Sequence, residues 1–294
     1  MADAKISALT NHGTPVGADY VASVLASGPS SRKLLMSDLR SFTGMALASA
    51  SPTTADIAPA VNTLTVADLS GLTAARNFVL PATAAVNDLV GVVVSVTHAT
   101  PGRELILKAD TGDGILASGT TYTAAEWTRV WIVGELVVFR CIVANTTWVV
   151  DCDGRIPSSA GIYRATNQTS VSAATIVKVL CSTVDFNSFG LADATNSRIT
   201  TRRGGTYSIA GKVQGSDPQI LVRWITLLYV DGAQVGSGEC DSAAGTFPTP
   251  NAVRNQALTA GQQVELYVYF SGAVAKDVVG SAGKESQINL FEVL

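Results

Sequence analysis

The sequence is short of the residues from which most catalytic sites and metal centres are built. It contains 2 histidines among 294 residues, His12 and His98, so a histidine-based triad or a multi-histidine metal site has almost no material. The motifs GxSxG, HExxH and GxxxxGKS/T are also absent. We therefore expect a non-enzymatic protein, with no catalytic residues, no bound metal and no cofactor.

Charge and long apolar runs are scarce as well. Charged residues make up 15% of the chain, the net charge is -3, and the basic pair Arg202-Arg203 stands alone rather than in a phosphate-binding stripe. No segment reaches the roughly 18 uninterrupted apolar residues of a membrane span, and the N-terminus lacks a basic-then-apolar signal pattern. These absences predict no nucleic-acid partner, no membrane insertion and synthesis in the cytoplasm.

The 4 cysteines, Cys141, Cys152, Cys181 and Cys240, lie far apart and form no CxxC pair. This spacing indicates neither a zinc ribbon nor a redox pair. Cys141 and Cys181 stand inside apolar segments, so we expect buried free thiols.

What the chain does contain is typical of β structure. Hydrophobic residues make up 47%, mostly Ala, Val, Leu and Ile among many Thr, Ser and Gly. We predict an all-β protein whose parts are an N-terminal attachment segment (1–50), a linker (51–60), a middle antiparallel β-sandwich or barrel (61–155) and a C-terminal jelly roll (156–294). A short helical pattern, MSDLRSF, lies in the first part, and the linker is rich in Ser, Thr, Ala and Pro.

Acidic residues and tryptophans are the remaining candidates for chemistry in the middle region and the head. Asp110, Asp113, Asp151 and Asp153 lie beside glycines at strand ends, where Asp normally shapes a turn, and a weak calcium site is the alternative. The 4 tryptophans, Trp127, Trp131, Trp148 and Trp224, stand mostly in apolar strands. Core packing is the expected use, and sugar stacking is the alternative if they share an exposed face.

Two strand patterns are apolar on both faces. The segment Ile220 to Val230 places Leu221, Leu227 and Tyr229 on one side and Trp224 with Leu228 on the other. The C-terminal segment SQINLFEVL has Ile288 with Leu290 on one side and Phe291 with Val293 on the other. A sheet face that is apolar on its outer side needs cover, which favours an oligomer. The candidate interface consists of Leu221, Trp224, Leu227 and Tyr229.

The C-terminal region resembles the jelly-roll heads of the C1q and tumour-necrosis-factor type. The resemblance rests on three segments: GTYSIAGKVQ, which follows a turn, LTAGQQVELYVYF, and the aliphatic strand that ends at the C-terminal residue. The resemblance covers about residues 173–294 and implies a homotrimer, although most aromatic residues expected at the trimer axis are missing.

The first two regions resemble bacteriophage virion proteins. DAKISALTNHGTPVGADYVASVL with RKLLMSDLRSF is similar to the N-terminal segment of phage fibre, spike and head-decoration proteins, and NFVLPATAAVNDLVGVVVSVTHA with TTWVVD is similar to a β-domain on the same proteins. The resemblance implies attachment to the major capsid protein or another virion protein through residues 1–50. The candidate attachment residues are Ile6, Leu9, Tyr20, Leu35, Leu39 and Phe42.

These resemblances imply a trimeric capsid decoration or head-fibre (cement) protein on the virion surface, whose head can contact host surface glycans. A receptor-binding tail fibre or tailspike is the alternative, because both classes carry similar segments. A glycan hydrolase is a minor alternative, since phage spikes of that kind use paired carboxylates.

Overall fold

The computed structural model describes residues 45–98, 100–216, 222–242 and 246–293. Within these ranges the protein consists of strands, turns and bridges without an α-helix, so the all-β prediction is confirmed. No helix in the described ranges is long and apolar enough to cross a membrane. The predicted helix MSDLRSF and all six candidate attachment residues lie outside the described residues.

The chain divides into two compact units. We call residues up to 98 together with 103–156 the middle unit, and residues 99–102 together with 157–294 the head. The middle unit contains β1 (Ala46–Ala50), β2 (Thr63–Asp68), β3 (Arg76–Val79), β4 (Leu89–Val96), β5 (Leu105–Lys108), β6 (Gly114–Ala117), β7 (Thr120–Thr123), β8 (Glu126–Val130), β9 (Leu136–Val143) and β10 (Thr147–Gly154).

In its described residues the middle unit has two sheets, and they are mixed rather than antiparallel as predicted. A seven-stranded sheet has the order β1-β2-β4-β9-β10-β6-β7, and a three-stranded sheet has the order β3-β5-β8. Strands β1, β2 and β4 run parallel, as do β3 and β5. The reason is that β3, which follows β2 in the chain, belongs to the other sheet, so β2 and β4 are joined by a crossover rather than a hairpin.

The central strand β4 explains why the seven-stranded sheet is stable. Its sequence LVGVVVSV is a nearly continuous apolar run, and five successive residues, 90–94, are buried. Such runs are typical of strands covered on both faces. On one face Val93 packs with Leu64, Leu136 and Val138.

Residues 51–60, predicted to be a linker, contain a bend at residues 53–55 and are hydrogen-bonded to other parts of the middle unit. Ile57 forms a parallel bridge with Phe78, and the Asp56 carboxylate accepts hydrogen bonds from the backbone N–H and side-chain amide of Asn77 at 2.9 and 2.8 Å. These amide donors lower the pKa of Asp56, because they favour the charged carboxylate.

The head contains thirteen strands in the described residues. They are β11 (Ser159–Tyr163), β12 (Gln168–Val171), β13 (Val177–Lys178), β14 (Thr183–Asn187), β15 (Ala192–Asp193), β16 (Arg198–Thr200), β17 (Gly205–Lys212), β18 (Arg223–Val230), β19 (Ala233–Asp241), β20 (Asn251–Leu258), β21 (Gln263–Phe270), β22 (Lys276–Val278) and β23 (Gln287–Val293).

The strand order of the head is that of a jelly roll. One sheet runs β14-β11-β23-β17-β20 and the other β15-β16-β21-β18-β19. The last strand, β23, lies between β11 and β17, and β21 lies between β16 and β18. Late strands inserted between early ones produce the interlocked Greek keys of this architecture. The predicted jelly roll is therefore present.

Glycines let the two sheets of the head approach closely. A Cβ atom at Gly211 would lie 2.7 Å from side-chain carbons of both Leu228 and Leu266 on the opposite sheet. At Gly215 it would lie 2.5 Å from the Trp224 ring, which stacks on Phe270 with centroids 4.7 Å apart. Because Gly215 has no side chain, the Trp224 ring packs directly against the backbone at this position.

Candidate functional site

The outer surface of the β14-β11-β23-β17-β20 sheet carries a pair of stacked phenylalanines. The Phe186 and Phe291 rings lie with centroids 5.5 Å apart and planes 27° apart. Gly161, on the strand between them, makes this possible, because a Cβ atom there would lie 2.5 Å from the Phe186 ring. Phe291 nevertheless remains 44% exposed.

Further exposed apolar side chains continue this surface. Val293 on β23 is 51% exposed and Val253 on β20 is 70% exposed. Between them β17 presents small uncharged residues, with Ala210 opposite Val253 and Ser208 opposite Phe291. We call the surface formed by Phe186, Ser208, Ala210, Val253, Phe291 and Val293 the apolar face.

Asn289 lies within the apolar face. Its Oδ1 atom is buried and has no hydrogen-bond partner among the described residues, and a Cβ atom at Gly161 would lie 2.5 Å from it. A buried carbonyl oxygen without a donor loses its bonds to water uncompensated. The apolar face therefore combines exposed apolar side chains with a buried oxygen atom that accepts no hydrogen bond from the described residues.

A buried ion pair holds the strands beneath the apolar face. The Arg203 guanidinium donates to both Glu292 carboxylate oxygens, with Nε–Oε1 at 2.5 Å and Nη2–Oε2 at 2.9 Å, and both side chains are 0% exposed. Ser158 donates its backbone N–H and its hydroxyl to Oε2 at 2.9 and 2.8 Å. Ser158 and Arg203 lie just before β11 and β17, and Glu292 lies near the end of β23, so these contacts link one end of all three strands.

The predicted interface residues on β18 do not lie on one surface. Trp224 is 1% exposed and points into the core, so its assignment to an interface is corrected. Leu227 is 5% exposed, and Tyr229 is half-buried with its ring centroid 4.4 Å from that of Tyr267. Leu221 lies outside the described residues.

Polar groups cover the outer surface of β18 and its neighbour β21. The Tyr267 hydroxyl donates to Glu265 Oε2 at 3.2 Å, and Lys178 forms an ion pair with the same carboxylate. Burial raises the pKa of Tyr267, and the negative charge of Glu265 adds to the effect. Among the described strand residues of the head, the exposed large apolar side chains all belong to the opposite sheet, namely Val184, Val253, Phe291 and Val293.

The aspartates singled out in the sequence are engaged in turns and ion pairs. Asp110 accepts a hydrogen bond from the Thr111 backbone at 2.8 Å, and Asp151 pairs with Arg140 at 2.5 Å. Burial raises the pKa of Asp113, and the neighbouring Asp110 raises it further. No group of three or more His, Cys, Asp or Glu residues suited to a metal occurs in the described part of the chain.

Three of the four tryptophans are buried in the core, and the fourth is partly exposed. Trp131, Trp148 and Trp224 are at most 1% exposed, whereas Trp127 is half-buried at a cleft of the middle unit. All 4 cysteines are free thiols, and Cys141 and Cys181 are buried, as expected.

Sequence reasoning missed three residues that define the site. Phe186 and Val253 lie in strands, TVDFN and NAVRNQAL, whose patterns are too polar to stand out. Glu292 was not distinguished from an exposed acidic residue. The one signal that pointed here was the row of Phe291 and Val293 on the outer side of the C-terminal strand.

Comparison with known proteins gives matches among solved structures alone. No protein-family model and no curated protein sequence matches the chain. The globular domain of zebrafish complement 1qA protein matches at 10% identity, covering 47% of this chain and 98% of that one, with a TM-score of 0.36. Murine APRIL at pH 8.5 matches at 8% identity over 47% and 100% of the two chains, with a TM-score of 0.36. Eiger TNF from S. frugiperda matches at 12% identity over 47% and 94%, with a TM-score of 0.34. The assignment of the head as a jelly roll rests on its own strand order.

Proposed function

We propose that this chain is a non-enzymatic structural protein of a bacteriophage particle. It assembles as a homotrimer and displays its jelly-roll head on the virion surface as a capsid decoration or head-fibre (cement) protein. The observation that supports assembly most strongly is the apolar face, on which Val253, Phe291 and Val293 are 70%, 44% and 51% exposed. The phage role is supported by the sequence similarity of the first two regions.

A second copy of this chain is the occupant that fits the apolar face. The outward side chains on β17 and β20 at its centre, Ser208, Ala210 and Val253, are uncharged. In a closed trimer this face of one copy packs against a different surface of the next copy. Cover by a neighbour removes Phe291 and Val253 from water, which contributes roughly 25 cal/mol per Å² of apolar surface buried.

Attachment to the particle is assigned to residues 1–50, in which Ile6, Leu9, Tyr20, Leu35, Leu39 and Phe42 are the candidate contacts with the major capsid protein or another virion protein. The last residues of this segment form β1 (Ala46–Ala50), which pairs in parallel with β2 of the middle unit. A receptor-binding tail fibre or tailspike is the alternative, because it would use the same parts.

Antibody labelling of intact particles distinguishes these roles. Gold-labelled antibodies against residues 160–294 should decorate the capsid in electron micrographs of purified virions. Labelling confined to the tail would favour the tail-fibre alternative, and absence of the protein from purified virions would overturn both. Release of oligosaccharides from host capsule or lipopolysaccharide by the pure protein would revive a hydrolase.

A further inference from the structure

The middle unit contains a cleft of about 410 Å³, and none of its lining residues belongs to the apolar face. Its lining includes Leu116, Val149 and Val150, and its polar wall is formed by Trp127, Asp153 and Arg155. The volume falls within the range of about 300–1,000 Å³ that is typical of small-ligand sites.

The polar wall is a fixed array of side chains. Arg155 donates from Nε to Asp153 Oδ1 at 2.8 Å and from Nη2 to Oδ2 at 2.7 Å, and its Nη1 donates to the Thr128 hydroxyl at 2.8 Å. The guanidinium carbon lies 4.9 Å from the Trp127 ring centroid, in the range of a cation–π contact. A bidentate pair stacked on an indole has few remaining degrees of freedom, so its hydrogen-bonding edges keep one orientation.

The Trp127 ring packs against the ring of Phe139. Its ring meets the buried Phe139 ring edge to face, with centroids 5.5 Å apart and planes 82° apart. Because Phe139 belongs to β9 and Trp127 to β8, this contact joins the two sheets of the middle unit and supports the wall of the cleft. Trp127 is half-buried, unlike the other three tryptophans.

We propose that this cleft binds a neutral saccharide. A pyranose ring presents an apolar C–H surface and a rim of hydroxyls, which match an aliphatic and aromatic lining with one polar edge. The Asp153 oxygens can accept hydrogen bonds from sugar hydroxyls and the Arg155 N–H groups can donate to them. Since Asp153 already compensates the Arg155 charge, the site favours a neutral sugar over an anionic one.

The same residues fit binding rather than cleavage. Glycoside hydrolysis uses two carboxyl groups that flank the scissile bond, about 5–9.5 Å apart. Asp153 is the one carboxylate among the described residues that line this cleft, and its two oxygens accept hydrogen bonds from Arg155.

An array of bacterial-surface oligosaccharides, with neutral and acidic members, probed with the full-length protein tests this proposal. Binding to neutral members is expected, and Trp127→Ala should weaken it at least tenfold. Ala117→Arg, which fills the cleft and leaves Trp127, Asp153 and Arg155 in place, should weaken it equally. Absence of binding to every neutral member, or binding that both variants retain, overturns the proposal.

The Arg140–Asp151 pair provides the matched control. It is another Arg–Asp ion pair of the middle unit, and it does not line the cleft. Arg140→Lys should keep wild-type binding, whereas Arg155→Lys should lose it because lysine lacks the planar fork. Equal effects of the two substitutions would contradict the assignment. Circular dichroism melts establish folding of each variant, and binding is read without particles, so its outcome is independent of the virion role and of trimer formation.

Discussion

The buried Arg203–Glu292 ion pair makes the stability of the head sensitive to a single substitution. Both side chains are fully buried, and the carboxylate accepts four hydrogen bonds, two from Arg203 and two from Ser158. A buried charge is tolerated when it is paired and saturated with hydrogen bonds, and removal of one partner leaves the other uncompensated.

We expect Glu292→Gln to destabilise the head by about 3–5 kcal/mol, because Arg203 would stay charged without its counterion. Chemical denaturation followed by circular dichroism measures this loss. Glu239→Gln is the control, since Glu239 pairs with Arg223 at 3.7 Å on the surface, where both side chains are more than half exposed. Equal small effects of the two substitutions would contradict the role given to Glu292.

Cys181 makes the stability of the head sensitive to alkali. Burial raises the pKa of this thiol from 9.0 to about 12. Above pH 9 the unfolded chain loses the proton while the folded head retains it, so the folded state binds more protons and loses stability as pH rises. Between pH 8 and 10.5 the loss should reach about 2 kcal/mol.

Denaturation curves of the wild type and Cys181→Ala across this pH range measure the effect. The variant carries a pH-independent cost from its cavity, and its stability should fall less steeply than that of the wild type. Parallel curves for the two proteins would contradict the proposed titration.

The conformation of single residues was predictable from the sequence where it depends on the local turn sequence alone. The segment VDGAQVG predicts a hairpin turn, and Asp231 and Gly232 adopt φ values of 48° and 79° between β18 and β19. Arg202 and Arg203 were interpreted as an isolated basic pair, yet they are 2% and 0% exposed. Their burial depends on partners such as Glu292, which is 89 residues away from Arg203 and is brought to it only by the fold.

At the scale of elements, β23 is a central strand of its sheet. It pairs with β11 on one side and β17 on the other, and Ile288 and Leu290 are 0% exposed. The prediction from sequence that this strand needs cover on both sides is consistent with these positions. Loss of β23 would leave two unpaired strand edges over an apolar core, which is a route to aggregation.

Truncation after Lys284 should therefore give insoluble protein. Deletion of residues 2–44, which end before β1, should leave soluble protein with an unchanged β signal in circular dichroism. Centrifugation of lysates and spectra of the soluble fraction measure both outcomes. A soluble, folded product of the Lys284 truncation would contradict the central position of β23.

Strands with strong apolar patterns were predictable, and those that depend on neighbours were not. The apolar runs of β4, β9, β18 and β21 identify them as strands. Strand β20, NAVRNQAL, exposes most of its residues and is specified by pairing with all eight residues of β17. The parallel order of β1, β2 and β4 was also missed, because periodicity indicates a strand and carries no information about its direction.

At the scale of the whole molecule, the proposed interface is inferred from the distribution of exposed apolar residues. The sequence indicated an oligomer and placed its interface on β18, whereas the apolar face lies on the other sheet of the head. Trp224 was assigned to the interface because alternation shows that both sides of a strand are apolar but does not show which side is already filled by the protein's own core. Trp224, Leu228 and Val230 fill it on β18.

A charge in the apolar face should disrupt assembly. Val253→Asp would bury a carboxylate in each subunit interface, at a cost of several kcal/mol without a partner, so we expect the trimer to dissociate. Val143→Asp is the control, because Val143 is a 51% exposed strand valine of the middle unit. Analytical ultracentrifugation should show monomers for the first and trimers for the second. Trimers for both would exclude the apolar face as the interface.

The molar mass of the unmodified full-length protein in solution tests the central claim most directly. Light scattering coupled to size exclusion, at micromolar concentration, distinguishes a trimer of about 91 kDa from the 30.4 kDa protomer. A homotrimer that covers the apolar face predicts a single species at the higher mass. A monodisperse species at 30.4 kDa would contradict it.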